Sequence, residues 1–575
     1  MNNSRTTSLP RLPDYSRLAT ITAALGTAVL VGGVALGLYS RFLAPANPVT
    51  PGDDARAELP DALGMSAIVV GVMALLIIAA VLLSARRLRA AGFGNPGMTI
   101  YLVLAAAIVR TIQLHVPSVA EQIFEHYAAF PQLPTALAAW VLVCLGILVV
   151  SYPLTAAPCF TPTARTIAVP ATIGLLLCAL TTGGALWVGD DDRFIDHRTA
   201  ASVVAPPIPN RLGQERFRIA LPKESTVVVG GPGFIIGTPT GITAYDGATG
   251  SARWHYLRPD AAEDGVHHEG SNLLSIPSEN AVLTSWNHLG WIAFDATTGE
   301  KLWTESEFAD DSRSAMRVAS GFGASSEPML ALVDDELFGG SYGNFARYDA
   351  RTGRHMWSEP ATPDGCDNMK SRIAITSLAV YQVRVCRNEL PAWTTVLALD
   401  PATGAQMAKR DLPNPDPDRA PKVSVQEDAL SVDWAYRNAP LDHLVVSAPG
   451  LLGTAPVAAD YVEVIANDPA TGTLVTNSWS TRITLSQGAA PDRSLTDPDA
   501  GLGGVSPFDS ILLTDELIAV GDAQLRTWRR ADLVENTPPV PLGSGQASQI
   551  IAAPGIILIP FDDKSAGPQL IGFAP

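Results

Sequence analysis

The chain has 575 residues, 47% of them hydrophobic, with 39 basic and 56 acidic side chains and a formal net charge of −17. That length exceeds one ordinary domain, and the acid excess excludes binding to nucleic acid or anionic lipid by bulk electrostatics. The charge is uneven: residues 1–189 hold 10 Arg, no Lys and 7 acids (+3), which leaves 29 bases and 49 acids (−20) for the rest.

The first third is apolar in long runs. Leu18–Tyr39, Leu63–Ala85, Pro134–Tyr152 and Thr166–Val188 are each long enough to cross a bilayer as a helix. Met98–His115 is shorter and carries Arg110, which sits near one end where its side chain snorkels. With it, the expected count is five helices. The first run is too long, and has too many successors, for a cleaved signal peptide. Arg5, Arg11 and Arg17 precede the first run, Arg86, Arg87 and Arg89 follow the second, and Arg165 precedes the fifth. The alternate loops carry Asp53, Asp54, Glu58 and Asp61, then Glu121 and Glu125. The positive-inside rule therefore puts the N-terminus in the cytoplasm of a plasma-membrane protein, and five crossings put everything after residue 189 outside. Residues 190–211 open on Asp190-Asp191-Asp192 and contain Pro206-Pro207-Ile208-Pro209, and read as an exposed, semi-stiff acidic and Pro-rich linker.

The remainder, 212–575, repeats itself. Ala244-Tyr245-Asp246-Gly247-Ala248-Thr249-Gly250 returns as the phrases beginning Ala293, Arg347, Ala398 and Ala466, with Asp295 and Gly299, Asp349 and Gly353, Asp400 and Gly404, and Asp468 and Gly472 in the same places. The Asp-to-Asp steps are 49, 54, 51 and 68 residues. Each phrase follows a short apolar strand and is turn chemistry, Asp accepting from the backbone just ahead and Gly supplying a positive φ. Trp254, Trp303 and Trp357 each stand eight residues after their Asp, while the fourth and fifth copies have Ala408 and Thr476 there. A period of this size, built of about four strands, is the sign of an all-β propeller. Leu525–Asp532 and the terminal Gln569–Ala574 read as two degraded copies, so seven blades are expected, with eight as the alternative because the longest step has room for another. The last copy lacks an outer strand. Arg216–Leu221 is the candidate to supply it and close the ring.

Ala293-Phe294-Asp295-Ala296-Thr297-Thr298-Gly299-Glu300-Lys301-Leu302-Trp303 closely resembles the pyrroloquinoline-quinone-like (PQQ-like) β-propeller repeat, and the resemblance runs over roughly residues 210–575. It implies that Trp254, Trp303 and Trp357 dock neighbouring blades. With the Ala-rich helical region it resembles a membrane-anchored, non-catalytic branch of actinobacterial envelope proteins. It also resembles in type the propeller lipoprotein that helps assemble outer-membrane proteins, without a lipobox cysteine. The implied role is a binding or scaffold module in the cell envelope, with an envelope protein or glycan as partner. The alternatives are a PQQ-dependent oxidoreductase using calcium and an extracytoplasmic sensor.

Chemistry-bearing groups are sparse. No Cys-Cys pair of the kind that the catalytic relatives hold over their quinone exists, and the repeat Asp residues have a turn role in every copy. No catalytic residue, metal ligand or cofactor is therefore assigned. His267-His268-Glu269 is the densest ligand-like cluster, but adjacent strand residues point to opposite faces. Cys366 and Cys386 are the two cysteines of the propeller region, 20 residues apart within one repeat, and are expected to form a disulfide in an oxidising compartment.

Overall fold

The computed structural model describes residues 15–45, 54–91, 105–106, 109–113, 115–126, 128–156, 163–259, 268–286, 289–304, 317–318, 330–332, 345–358, 366–375, 379–387, 392–414, 422–426, 429–433, 443–446, 462–468, 471, 473–478, 482–487, 493–496, 510–521, 523–547 and 549–575. The chain divides into a helical unit through Phe194 and a strand unit from Ile195.

In the helical unit, the long helices are α1 (Tyr15–Phe42), α2 (Asp54–Ala91), α4 (Gln132–Ala156) and α5 (Ala164–Val188), with the short α3 (Val116–His126) between. The four long helices are apolar and long enough to cross a membrane. Of the segment Met98–His115, residues 105–106 and 109–113 are helical and most of the others lie outside the described residues. The Trp140 indole donates to the Thr111 hydroxyl at 2.9 Å, so this segment packs on α4.

Small residues let the helix backbones approach, which is how apolar helices associate when lipid is as apolar as their side chains. A Cβ added at Gly26 would stand 2.5 Å from Val150 Cγ2. The contacts also fix direction. Gly64 meets Gly37 and Ser40 while Gly71 meets Val34, so α2 runs antiparallel to α1. Gly33 meets Val143 and Gly26 meets Gly146, so α4 does too. Gly174 meets Ala28 and Gly32 meets Cys178, so α5 runs parallel to α1. At one end Ser40 Oγ donates to the Gln132 carbonyl at 2.8 Å, and Gln132 Nε2 to Asp61 at 2.8 Å. Arg41 lies 3.6 Å from Asp61. The Ala129 N–H donates to Asp191 at 3.1 Å, tying the chain after α5 to the same end.

The strand unit is antiparallel throughout its described pairs. Its strands form eight sheets among the described residues. In chain order the sheets span 226–257, 268–304, 317–358, 366–413, 422–446, 462–496, 510–541 and 545–574, and are numbered 1 to 8 here. Alternating apolar residues bury one sheet on the next. Trp254 of sheet 1 stacks on Phe294 of sheet 2 at 6.0 Å. Trp303 packs with Ala350 of sheet 3, Trp357 with Val380 and Leu399 of sheet 4, and Val396 with Leu430 of sheet 5. Strand Lys422–Gln426 adjoins Val462–Asp468 of sheet 6. Leu485 packs with Leu517 of sheet 7, and Ile518 with Ile559 of sheet 8. Phe234 of sheet 1 packs with Ile556 and Leu570 of sheet 8. The circuit of sheets returns to its start, as in a β-propeller.

Gln214–Ala220 closes it. This strand pairs antiparallel with Gly567–Ala574 and becomes the outer strand of sheet 8, satisfying backbone groups that would otherwise be an open edge. The segment 190–211, expected to be an exposed, semi-stiff linker, is mostly exposed and is bonded to the strand unit at several points. Asp196–Arg198 adds a fifth strand to sheet 1 beside Ala252–Leu257. From there the Ala200 N–H donates to the Thr298 carbonyl, and the Gly555 and Asp515 N–H groups donate to the Pro207 and Asn210 carbonyls, at 2.8 to 3.0 Å. The reason is backbone chemistry: an uncharged, Pro-broken chain offers carbonyls that the sheet ends have donors to satisfy.

Candidate functional site

The recurring phrases all lie at one end of the sheets: four on the turn between the third and fourth strands of sheets 1 to 4 in chain order, and the fifth on the turn between the first and second strands of sheet 6. In sheet 2, Asp295 Oδ1 accepts the Thr297 and Thr298 N–H groups at 3.0 and 2.9 Å. The Gly299 N–H returns to the Asp295 carbonyl at 2.8 Å, with Gly299 at φ +74°. Asp349 binds the Arg351 and Thr352 N–H groups, and Asp400 those of Ala402 and Thr403, at 2.8 to 3.0 Å. Asp246 accepts from the Thr249 N–H and hydroxyl at 3.0 and 2.9 Å. Asp468 accepts from the Thr471 hydroxyl at 2.7 Å. Gly250, Gly353 and Gly404 share the positive φ, and Gly472 lies outside the described residues.

These bonds tune the carboxylates. Burial pushes the Asp295 pKa up, but the Thr298 N–H, the Arg351 guanidinium and the Thr297 N–H outweigh it and hold the group below the usual carboxylate range. In Asp400 the Thr403 N–H is the largest cause of a lowered value. For Asp468, burial raises the pKa, and the Thr471 hydroxyl and Arg530 reverse that. Asp563, on a turn at the opposite end of sheet 8, is held well below the range by the Ser565 hydroxyl and the Ser565, Ala566 and Ser544 N–H groups.

The tryptophans join each turn to its neighbour. Trp254 Nε1 donates to the Ala296 carbonyl at 3.0 Å, Trp303 Nε1 to Ala350 at 2.8 Å and Trp357 Nε1 to Pro401 at 3.0 Å. Each acceptor directly follows the repeat Asp of the next sheet. The repeat glycine has a second duty there: a Cβ at Gly299 would stand 2.5 Å from Trp254 Cδ2, and one at Gly404 2.7 Å from Trp357 Cδ2. At the closure Phe217 takes the place of the indole, its ring lying against Gly250.

Several partners carry no signal in the repeat itself. Arg351 reaches back to Asp295 at 2.9 Å, and Arg347 to Glu279 at 3.2 Å. Arg530 reaches Asp468 at 2.6 Å. They occupy variable positions of the phrase, so spacing does not mark them. In sheet 7 the turn survives without its signature. Arg529 holds the Asp position and pairs with Asp532 at 2.9 Å, and Leu533 adopts φ +55° where the other copies have Gly. His197 of the added strand bonds the Gly299 carbonyl at 2.8 Å and packs on Tyr256 and Phe294.

Cys366 and Cys386 form a disulfide between directly opposed residues of sheet 4. His267 lies outside the described residues. Among the described residues, no group of three or more His, Cys, Asp or Glu side chains could hold a metal ion. The described repeat carboxylates spend their oxygens on turn N–H groups, hydroxyls and arginines.

A family model described as outer membrane protein assembly factor BamB matches residues 179–406, from the last turns of α5 through most of sheet 4. The chain is also similar to solved propellers. BamB from Moraxella catarrhalis is 12% identical, with a TM-score of 0.35, over 63% of this chain and 100% of that one. The Myceliophteria thermophila Cps50 (Swd1) β-propeller domain is 13% identical, with a TM-score of 0.32, over 62% of this chain and 100% of that one. The Neurospora crassa Pan2 WD40 domain is 11% identical, with a TM-score of 0.31, over 64% of this chain and 97% of that one. No curated protein matches the chain.

Proposed function

We propose that this is a membrane-anchored, extracytoplasmic propeller of eight blades that serves as a binding or scaffold module of the cell envelope. The observation that carries it is the circuit of eight sheets, whose repeat carboxylates are committed to turns and blade junctions, attached to a bundle of apolar helices. A rigid ring with its polar groups spent internally offers surface rather than chemistry. The partner is an envelope protein or glycan, and the match to an assembly-factor family model favours the protein.

Helix direction supports the extracytoplasmic placement. Both α2 and α4 run opposite to α1. The chain must therefore travel back along the bundle between residues 92 and 131. The segment Met98–His115 is the fifth crossing in this reading. Trp140 lies eight residues into α4, about 12 Å along its axis, so Thr111 is bonded at depth within the bundle. The N-terminus and the exit from α5 then lie on opposite sides. With Arg5, Arg11 and Arg17 inside, the propeller is outside, where a disulfide persists.

The test uses intact cells. With reductant present, an impermeant maleimide should label Cys366 or Cys386 without permeabilisation, and photo-crosslinkers on the propeller surface should trap one stable envelope partner. Labelling only after permeabilisation would sink the topology. Recovery of uncrosslinked monomer alone would sink the scaffold role.

A further inference from the structure

The ring has one seam that no peptide bond crosses, and it lies inside sheet 8. Strands 545–574 of that sheet are reached along the chain from sheet 7, while its outer strand, Gln214–Ala220, leads on to sheet 1. The two sides meet by strand pairing, from Gln214 opposite Ala574 to Ala220 opposite Gln569, and by side-chain contacts. The chain just before that outer strand is bonded on both sides of the seam. Toward sheets 1 and 2, Asp196–Arg198 pairs with residues 255–257, and His197 bonds the Gly299 carbonyl at 2.8 Å. The Ala200 N–H donates to the Thr298 carbonyl at 2.8 Å, and the Arg253 guanidinium to the Ala201 carbonyl at 2.7 Å. Toward sheets 7 and 8, the Gly555 and Asp515 N–H groups donate to the Pro207 and Asn210 carbonyls at 3.0 Å, and the Leu212 N–H to the Glu516 carboxylate at 3.0 Å. Between the two sets, residues 202–205 are exposed and make no hydrogen bond among the described residues.

We propose that residues 196–212 are a clasp over this seam, and that the ring opens there first when the clasp is cut. Every junction between successive sheets is bridged by the chain itself, whereas the strand pair inside sheet 8 can unzip without breaking a covalent bond and would leave two open edges. The clasp adds the missing bridge: one run of chain hydrogen-bonded to sheets 1 and 2 at one end and to sheets 7 and 8 at the other. It keeps Gln214–Ala220 beside Gly567–Ala574 at high effective concentration, so a partly opened pair closes again before the sheets part. Pro206, Pro207 and Pro209 already restrict the free chain, so docking it costs less conformational entropy than docking a flexible spacer. The same run leads from α5 into the strand unit. One cut within residues 202–205 therefore severs the propeller from its helices and loosens the ring together, while a cut before Ile195 severs it with the ring closed. None of this depends on which side of a membrane the propeller occupies or on what it binds.

The test uses the full chain in lipid nanodiscs. A recognition sequence for a site-specific protease is inserted between Val203 and Val204, inside the clasp, or between Asp192 and Arg193, upstream of it. Each chain is cut to completion and compared with wild type. Hydrogen–deuterium exchange reads the seam strands Gln214–Ala220 and Gly567–Ala574, with Val380–Cys386 and Trp393–Leu399 of sheet 4 as a remote reference. The cut inside the clasp should speed exchange at the seam by about tenfold or more, the effect of losing two or three hydrogen bonds from the opening free energy, and leave the reference unchanged. The upstream cut should change neither. In the otherwise unaltered chain, Glu516→Ala removes the acceptor of the Leu212 N–H and should raise seam exchange several-fold. Equal seam exchange after the two cuts overturns the clasp. A rise spread evenly over seam and reference overturns it too, because it reports loss of the whole fold and not an opening at the seam.

Discussion

The blade junction lends itself to a thermodynamic cycle. Trp254 is fully buried, donates to the Ala296 carbonyl at 3.0 Å, and lies where a Cβ at Gly299 would stand 2.5 Å from its ring. Trp254→Phe keeps most of the packing but leaves a buried carbonyl without its donor, at a cost of about 1–3 kcal/mol. Trp254→Ala removes the stack on Phe294 too and should cost about 3–5 kcal/mol. Gly299→Ala places a side chain at φ +74°, which alone costs about 1–2 kcal/mol, and drives it into the indole besides. In the Trp254→Ala background the ring is gone, so Gly299→Ala should cost only the backbone part. The cycle should therefore return a coupling of about 1–3 kcal/mol. Pulse proteolysis of the full chain across a urea series reads the propeller's unfolding directly. If Gly299→Ala costs the same in both backgrounds, the glycine serves its own turn alone and the docking account fails.

Two further outcomes follow from the same turns and the disulfide. Asp295 has its pKa lowered in the folded chain, so its ionised form stabilises the fold at pH values above the unfolded carboxylate value of about 4, and that contribution is lost as pH falls through the lower folded value. The stability gap between wild type and Asp295→Asn should accordingly be constant from neutral pH to mildly acid pH and shrink below about 4, in urea titrations run in parallel; a gap that widens on acidification contradicts the bonding described. Cys366 and Cys386 are 20 residues apart, and a closed loop of that length is worth about 3 kcal/mol by chain entropy. The double Ser variant should lose roughly that much in the same proteolysis assay and retain the cross-linked partner; an unchanged urea midpoint would show that the bridge constrains nothing the paired strands do not already hold.

The propeller was legible because its turns are chemical necessities. A chain that must reverse tightly needs Asp to bind the N–H groups ahead of it and Gly to adopt positive φ, and both needs recur in five copies of the phrase. The junction tryptophans were legible for the same reason, since their offset from Asp is fixed by strand register. What pairs across blades was not. Arg351 and Arg530 act on carboxylates 56 and 62 residues earlier, Arg351 from a position where other copies have Ala or Thr and Arg530 from one where they have Gly, Ala or Pro, so no periodicity reports them. Phe217 does the work of a junction tryptophan in a strand with no Asp before it from which to count. The added strand at Asp196–Arg198 was hidden differently: acids and prolines nearby read as a spacer, and only tertiary partners such as the Gly299 carbonyl give it a place.

The helical unit shows the reverse relation between sequence and structure. Composition identified four strong spans and one weak one, and the side on which the propeller lies turned on the weak one. Helix direction supports the five-crossing reading proposed above. Each helix contact along α1 pairs rising with falling numbers for α2 and α4, and rising with rising numbers for α5. Two successive long helices that point the same way require the intervening chain to retrace their length, whatever its hydropathy. In that proposed reading Arg110 is an ionisable residue of the returning segment, not an argument against one. His115, five residues on and at φ +49°, breaks the helical backbone just before α3 begins at Val116. In the proposed reading the long Arg110 side chain reaches a polar boundary by snorkelling, and no basic residue stands in the middle of the four long helices.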